Sequence, residues 1–396
     1  MSHSKKTQMV SAGRNPKWTQ GVVNPPVQRA STVLFNTVAD KKHATINRAK
    51  QTLFYGRRGT NTHFAFQEAM TQIEGGAGCA LFPSGAAAIA NSILAFVESG
   101  NHVLMVDTCY EPTRDFCDVM MKKMGVETTY YDPMIGEDIR TLIKPNTKVL
   151  FTESPGSITM ELQDIPTLSK IAHEHDIIVM LDNTWGAGVN FSPFAHGVDI
   201  SIQAATKYIC GHSDIMLGTA IATEKHWDQL REQCYLMGQC VSPDDAYTAL
   251  RGIRTLDVRL RQHDESAKKV ANWLAERPEV DHVRHPSLPS CPGYEFFQRD
   301  FTGGNGLFSF VLKQSNSKAT TALLDGMSHF GMGYSWGGYE SLILANEPSS
   351  FNSLRTIANP NFTGTLIRLH IGLEEVDDLI TDLEAGFARY NRELSN

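Results

Sequence analysis

The sequence predicts an α/β protein, with a large and mostly parallel sheet followed by a smaller α+β region. Between residues 79 and 182, short apolar runs alternate with helix-length segments, and each run ends in polar loop residues. Strands that are apolar on both faces are typical of a parallel sheet covered by helices on both sides. Beyond about residue 256, a long amphipathic helix and alternating strands replace that pattern. Since 396 residues suffice for two or three domains, both regions fit in one chain.

The predicted elements follow in chain order. Residues 1–58 have little periodicity and are interpreted as an arm. Residues 59–255 are predicted to form the α/β domain, with strands at 79–82, 102–106, 148–152 and 177–181 and helices at 86–97 and 165–175. Residues 256–396 are predicted to form the α+β domain, with helices at 261–277 and 375–392 and strands at 306–312 and 365–371.

Composition excludes several classes of function. The net charge of −7 gives no global support for binding nucleic acid or an anionic membrane. The longest apolar stretch, residues 86–97, is too short to span a bilayer, and the N-terminus has no apolar signal segment. Seven scattered cysteines without a Cys-x-x-Cys pair favour reduced thiols in the cytoplasm and no metal site.

Asp182 and Lys207 are the strongest candidates for chemistry. Each is predicted at the end of an apolar strand. A lysine there is partly desolvated, which lowers its pKa and suits it to form a Schiff base. An aspartate on a neighbouring strand could keep a pyridinium nitrogen protonated. An ordinary aspartate and a surface lysine remain the alternative.

A second candidate is the turn at Ser84 and Gly85, which opens the helix at 86–97. The free N–H groups at such a helix start bind anions. Ser-Gly before a helix is also a common N-cap, so the turn alone is weak evidence. Because no dinucleotide-binding or Walker A motif occurs in the right context, a smaller phosphate ester is expected.

The segment from Asp199 to Ser213, which contains Ala204-Ala205-Thr206-Lys207, resembles the cofactor-lysine signature of the Cys/Met metabolism family of pyridoxal-phosphate (PLP) enzymes. The resemblance covers essentially the whole chain. It implies the type I, aspartate-aminotransferase-like fold and pyridoxal 5'-phosphate as the cofactor.

The resemblance also implies roles for single residues. Lys207 would hold the cofactor covalently and act as the catalytic base, and Asp182 would pair with the ring nitrogen. Tyr110 would stack on the ring and also act in catalysis, and the phosphate would bind Gly85, Ala86 and Thr206. Arg368 would bind the substrate carboxylate, as its planar guanidinium allows, with Ser335 and Trp336 lining the same pocket. Tyr55 and Arg57 would reach the phosphate of a neighbouring subunit, and Tyr55 would also act in catalysis. The resemblance therefore implies dimers with shared active sites, two of which form a tetramer. The N-terminal arm would contact the neighbouring subunit.

Two departures from γ-acting relatives, Tyr110-Glu111-Pro112 and Trp336, favour the β-cleaving branch of the family. That branch would cleave L-cystathionine to homocysteine, pyruvate and ammonia in methionine biosynthesis, with side activity on L-cystine and other cysteine S-conjugates. The alternatives are a cystathionine γ-lyase or γ-synthase, a methionine γ-lyase, and a catalytically idle PLP-fold regulator or scaffold. Ala204 and Ser157 stand where many relatives have Ser and Asn, which leaves the cofactor contacts at those positions open.

Overall fold

The computed structural model describes residues 4–395, apart from 356 and 358. Its strands are β1 (Gly78–Phe82), β2 (His102–Val106), β3 (Glu127–Tyr131), β4 (Thr147–Glu153), β5 (Ile178–Asp182), β6 (Ile200–Ala204), β7 (Gly218–Ala222), β8 (Val280–Arg284), β9 (Leu307–Leu312), β10 (Leu342–Asn346) and β11 (Leu366–His370). Its α-helices are α1 (Lys5–Ser11), α2 (Pro16–Thr19), α3 (Val38–Asn47), α4 (Asn61–Glu74), α5 (Gly85–Leu94), α6 (Glu111–Asp115), α7 (Ile165–Glu174), α8 (Glu224–Leu236), α9 (Pro243–Ile253), α10 (Leu256–Ala275), α11 (Tyr294–Asp300), α12 (Ser317–Leu324), α13 (Pro348–Leu354) and α14 (Val376–Ser395).

The large sheet has seven strands in the order β1-β7-β6-β5-β4-β2-β3. Each adjacent pair of strands in the run β6-β5-β4-β2-β3 is parallel. Strand β7 is antiparallel to both of its neighbours, β1 and β6. The predicted mostly parallel sheet is therefore confirmed. Strands β1, β2 and β7 are buried along their whole length, as expected for a sheet covered on both faces.

The smaller sheet is antiparallel, with the order β10-β11-β9-β8. Helices α10, α12 and α14 pack against it around Phe308, Phe310 and Phe387. The sequence analysis did not predict β8 or β10, whose short, partly exposed runs have no clean alternation. Helix α10 begins at Leu256, before its predicted start at residue 261.

The N-terminal segment contains more helix than its weak periodicity suggested. Met9 of α1 and Trp18 of α2 are buried, and the Trp18 ring contacts that of Phe64 on α4. Along the next stretch, by contrast, Leu34, Val38 and Ile46 are exposed.

The domain boundaries at 58/59 and 255/256 stay predictions. Among the helices described, none is long and apolar enough to cross a membrane.

Candidate active site

A cavity of about 300 Å³ opens beyond the carboxyl ends of β4, β5 and β6. Ligands in α/β sheets bind at this edge, because the loops after parallel strands converge there. The structure brings nine of the predicted site residues into its wall, namely Gly85, Ala86, Tyr110, Asp182, Thr206, Lys207, Ser335, Trp336 and Arg368. The cavity is the candidate active site.

Lys207 lies three residues beyond the last residue of β6 and points into the cavity. Its Nζ donates a hydrogen bond of 2.5 Å to Oγ of Ser335 and lies 5.3 Å from the ring centroid of Trp336. Burial, helped by the charge of Arg368 and opposed by Asp182, lowers the pKa of Lys207 to about 8. About a tenth of this amine is therefore unprotonated at pH 7, far more than for a lysine with its usual pKa, as a nucleophile or base requires.

Asp182 is the last residue of β5 and is held by Thr184. The Thr184 hydroxyl donates to Oδ1 of Asp182 over 2.5 Å and accepts the Ala204 N–H over 2.9 Å. This hydroxyl therefore links the ends of β5 and β6. Burial raises the pKa of Asp182, and the hydrogen bonds from Thr184 oppose that rise. A cationic N–H placed against Asp182 would favour its ionised form.

A second carboxyl group, Glu153, lies beside Asp182. It ends β4, pairs in register with Asp182, and its Oε2 accepts the backbone N–H of Tyr110 over 2.8 Å. Burial and the neighbouring Asp182 raise the pKa of Glu153 well above its usual value. The adjacent carboxyl groups thus differ in their contacts: Glu153 holds the backbone of Tyr110, whereas Asp182 is held by the Thr184 hydroxyl.

The start of α5 forms a cradle suited to a phosphate. Ser84 caps this helix by accepting the Ala87 N–H, which leaves the N–H groups of Gly85 and Ala86 at the open helix end. A Cβ at Gly85 would lie 2.6 Å from Cβ of Ala204, so only glycine fits this approach. Oγ1 of Thr206 lines the same cavity and accepts the Leu217 N–H over 2.9 Å. These groups fit a small phosphate ester.

Arg368 approaches the cavity from the smaller sheet, at the middle of β11. Its Nη2 donates to the Ser335 carbonyl over 3.2 Å, while the Ser335 hydroxyl accepts from Lys207. Burial lowers the pKa of Arg368. A buried guanidinium beside a reactive amine is well suited to bind a carboxylate through two hydrogen bonds.

Tyr55 and Arg57 are not brought to this cavity. Tyr55 is exposed, and Nη1 of Arg57 donates to the Tyr235 carbonyl over 2.9 Å. Arg57 instead lines a separate small cavity that also contains Cys234 and Cys240. Within one chain, therefore, these two predicted residues and the other nine occupy different places.

Several cavity residues carry no signal in the sequence. Four apolar or aromatic residues that were not predicted line the cavity, namely Ile158, Met160, Trp185 and Leu307. Apolar side chains carry no chemical signature, so only the folded chain reveals their position. Glu153 follows the apolar run predicted as a strand at 148–152, but its pairing with Asp182 depends on strand order, which the sequence does not show.

A family model described as "Cys/Met metabolism PLP-dependent enzyme" matches residues 6–388. The chain belongs to this PLP-dependent family. A cystathionine beta-lyase from Haemophilus influenzae is 59% identical over 97% of this chain and 98% of its own, and that of Escherichia coli has the same identity and coverage. A solved cystathionine gamma synthase from Xanthomonas oryzae, in complex with cystathionine, is 29% identical with a TM-score of 0.90, and the match covers 99% of this chain and 100% of that one. This membership agrees with the phosphate cradle and with the lysine and aspartate of the cavity.

Proposed function

We propose that this member of the PLP-dependent family is a cystathionine β-lyase, which cleaves L-cystathionine to homocysteine, pyruvate and ammonia. The observation that carries the proposal is the convergence of Lys207, Asp182 and Arg368 on one cavity. Their groups supply an amine, a carboxylate and a guanidinium, which an amino-acid substrate and a pyridine cofactor require. The two relatives at 59% identity support the β-cleaving reaction.

The residues that would hold the cofactor are those already placed around the cavity. Gly85, Ala86 and Thr206 would bind its phosphate, Lys207 its aldehyde carbon and Asp182 its ring nitrogen. Tyr110, kept in place through its backbone by Glu153, would cover the ring. When bound, PLP supplies an electron sink for the charge that develops at the substrate Cα.

Lys207 and Arg368 divide the work on the substrate. Arg368 would bind the α-carboxylate and so fix which bond at Cα faces Lys207. The unprotonated Lys207 amine, with its pKa lowered to about 8, would take the Cα proton and later protonate the departing sulfur. Ser335 contacts both side chains, its hydroxyl accepting from Lys207 and its carbonyl from Arg368, and so sets their separation.

The positions of Tyr55 and Arg57 support a shared-site dimer, and the family resemblance implies that two such dimers form a tetramer. Both lie away from their own cavity, and the neighbouring arm exposes Leu34 and Val38. In such a dimer Tyr55 of a second copy, together with Tyr110, would tune the proton state of the substrate amine. Mixing inactive Lys207→Ala and Arg57→Ala chains should restore activity, since one hybrid site receives both wild-type residues.

Seven free cysteines, six of them buried, support a reducing compartment such as the cytoplasm.

The deciding experiment is turnover of L-cystathionine by the PLP-loaded protein, with both products identified. Pyruvate with homocysteine supports the proposal. 2-Oxobutyrate with cysteine would identify a γ-acting enzyme. No turnover despite bound PLP would contradict the proposed substrate and favour another substrate or an idle scaffold.

A further inference from the structure

One side of the cavity is formed by residues Ser157 to Met160, called the wall segment below. Ser157, Ile158 and Met160 line the cavity. The backbone here is strained, with φ of 68° at Ile158 and 64° at Met160. A β-branched residue such as isoleucine rarely adopts a positive φ, so other parts of the molecule must hold this conformation.

Four side chains from the C-terminal part of the chain hold the wall segment by its carbonyl groups. Consecutive carbonyls from Ser157 to Met160 accept hydrogen bonds from Arg355 (2.7 Å), Ser309 (2.7 Å), Arg284 (2.9 Å) and the thiol of Cys291 (3.1 Å). Arg284 also forms a buried ion pair of 2.9 Å with Glu161, just beyond the segment. None of these four side chains lines the cavity, and each contacts the wall segment through one of its carbonyl groups.

Two of these side chains, Arg284 and Ser309, lie at paired positions across the smaller sheet in line with Arg368. Arg284 on β8 pairs with Ser309 on β9, and Ser309 pairs with Arg368 on β11. Directly opposite residues in an antiparallel sheet face the same side, and neighbouring strands are about 4.8 Å apart. The smaller sheet therefore carries the proposed carboxylate ligand and the supports of the wall segment at fixed spacing.

We propose that the wall segment selects the sulfur-linked tail of the substrate, and that Ser309 and Arg284 are positioning residues that set its distance from Arg368. The inference rests on the proposed function. Arg368 and Lys207 account for the amino-acid head, so the tail must extend along the remaining cavity surface. Ile158 and Met160 are apolar residues that line this part of the cavity, and an apolar lining suits the methylene groups of a thioether.

The test compares Ser309→Ala with Ser290→Ala. Ser290 is the matched control because its hydroxyl also holds a backbone carbonyl, that of Val283 at 2.7 Å, but does not contact the wall segment. The substrates are L-cystathionine and β-chloro-L-alanine, which has the same head and a leaving group but no tail. Ser309→Ala should raise KM for L-cystathionine about fivefold, as loss of one hydrogen bond allows. Its kinetics with β-chloro-L-alanine and its PLP absorbance should not change.

Arg284 provides a second variant pair. Arg284→Met should shift the preference between the two substrates further than Ser309→Ala, and Arg284→Lys, which keeps a donor and the charge, should restore part of it. Equal losses on both substrates, or a preference within twofold of wild type, would overturn the inference. Failure of the proposed function would show differently, because wild-type protein would then not form pyruvate and homocysteine from L-cystathionine.

Discussion

The two sheets contribute to the active site in different ways. The large sheet supplies Glu153 and Asp182 from the last positions of its strands, and Lys207 from the loop just beyond. The smaller sheet supplies Arg368 from the middle of a strand. The position of a side chain at a strand end is set by the loop that follows the strand. The position of a side chain in the middle of a strand is set by the register of the whole sheet. The proposed cofactor side and substrate side should therefore respond differently to substitution.

The largest effect is expected from Lys207→Ala. Loss of the amine removes both the base and the covalent attachment, so turnover of L-cystathionine should fall by about 10³-fold or more. The absorbance of PLP joined to lysine should also disappear. The exposed Lys318 gives the control substitution, Lys318→Ala, which should retain both signals. Normal absorbance and turnover in Lys207→Ala would refute the assignment.

The two neighbouring carboxyl groups should differ sharply. Asp182→Asn removes the charge that would stabilise a protonated ring nitrogen, so kcat/KM should fall about 10²-fold. Glu153→Gln should lower kcat/KM by less than about threefold, because an amide oxygen also accepts the Tyr110 N–H and the raised pKa of Glu153 means that burial disfavours its charge. Steady-state kinetics at pH 7.5 measures both. Similar losses in the two variants would contradict the division of roles.

On the substrate side, Arg368→Leu should raise KM for L-cystathionine by about 10- to 100-fold, since charge-assisted hydrogen bonds to the carboxylate are lost. Arg368→Lys should raise KM less than Arg368→Leu does, because lysine keeps the charge but not the planar pair of donors. PLP absorbance should persist in both variants, unlike in Lys207→Ala. An unchanged KM and kcat in Arg368→Leu would exclude the proposed contact.

The smallest effect concerns stability in acid. Burial lowers the pKa of His263 to about 4 and that of His370 to about 3, both in the smaller sheet region. Below pH about 6.5 the unfolded chain binds protons that these folded residues do not, so each histidine lowers the free energy of unfolding by up to about 1.4 kcal/mol per pH unit as pH falls towards 4. The raised pKa values of Asp182 and Glu153 act in the opposite direction.

Urea unfolding at pH 7, 6 and 5 would measure this dependence. His263→Gln should reduce the loss of stability between pH 6 and 5, while His43→Gln, at an exposed position, should leave it unchanged. An identical pH dependence for wild type and His263→Gln would contradict the assigned sign.

The strand-end residues were predictable from the sequence, and the mid-strand supports were not. Asp182 follows a visible apolar run, so its place at a sheet edge can be inferred without knowing strand order. Ser309 and Arg284 have no such signal, because their importance comes from pairing between strands that are distant in sequence. The positive φ of Ile158 could not be predicted either, because isoleucine is not a residue that indicates this backbone conformation. Roles for Tyr55 and Arg57 came from family resemblance alone.

Cys240 gives the shared-site proposal a built-in reporter. Six of the seven cysteines are buried, whereas Cys240 is exposed and lines the same small cavity as Arg57. A thiol-reactive dye would therefore label the native protein at one position, next to the surface that a second copy is proposed to cover. Its labelling rate should fall as protein concentration rises through the dissociation constant of the assembly.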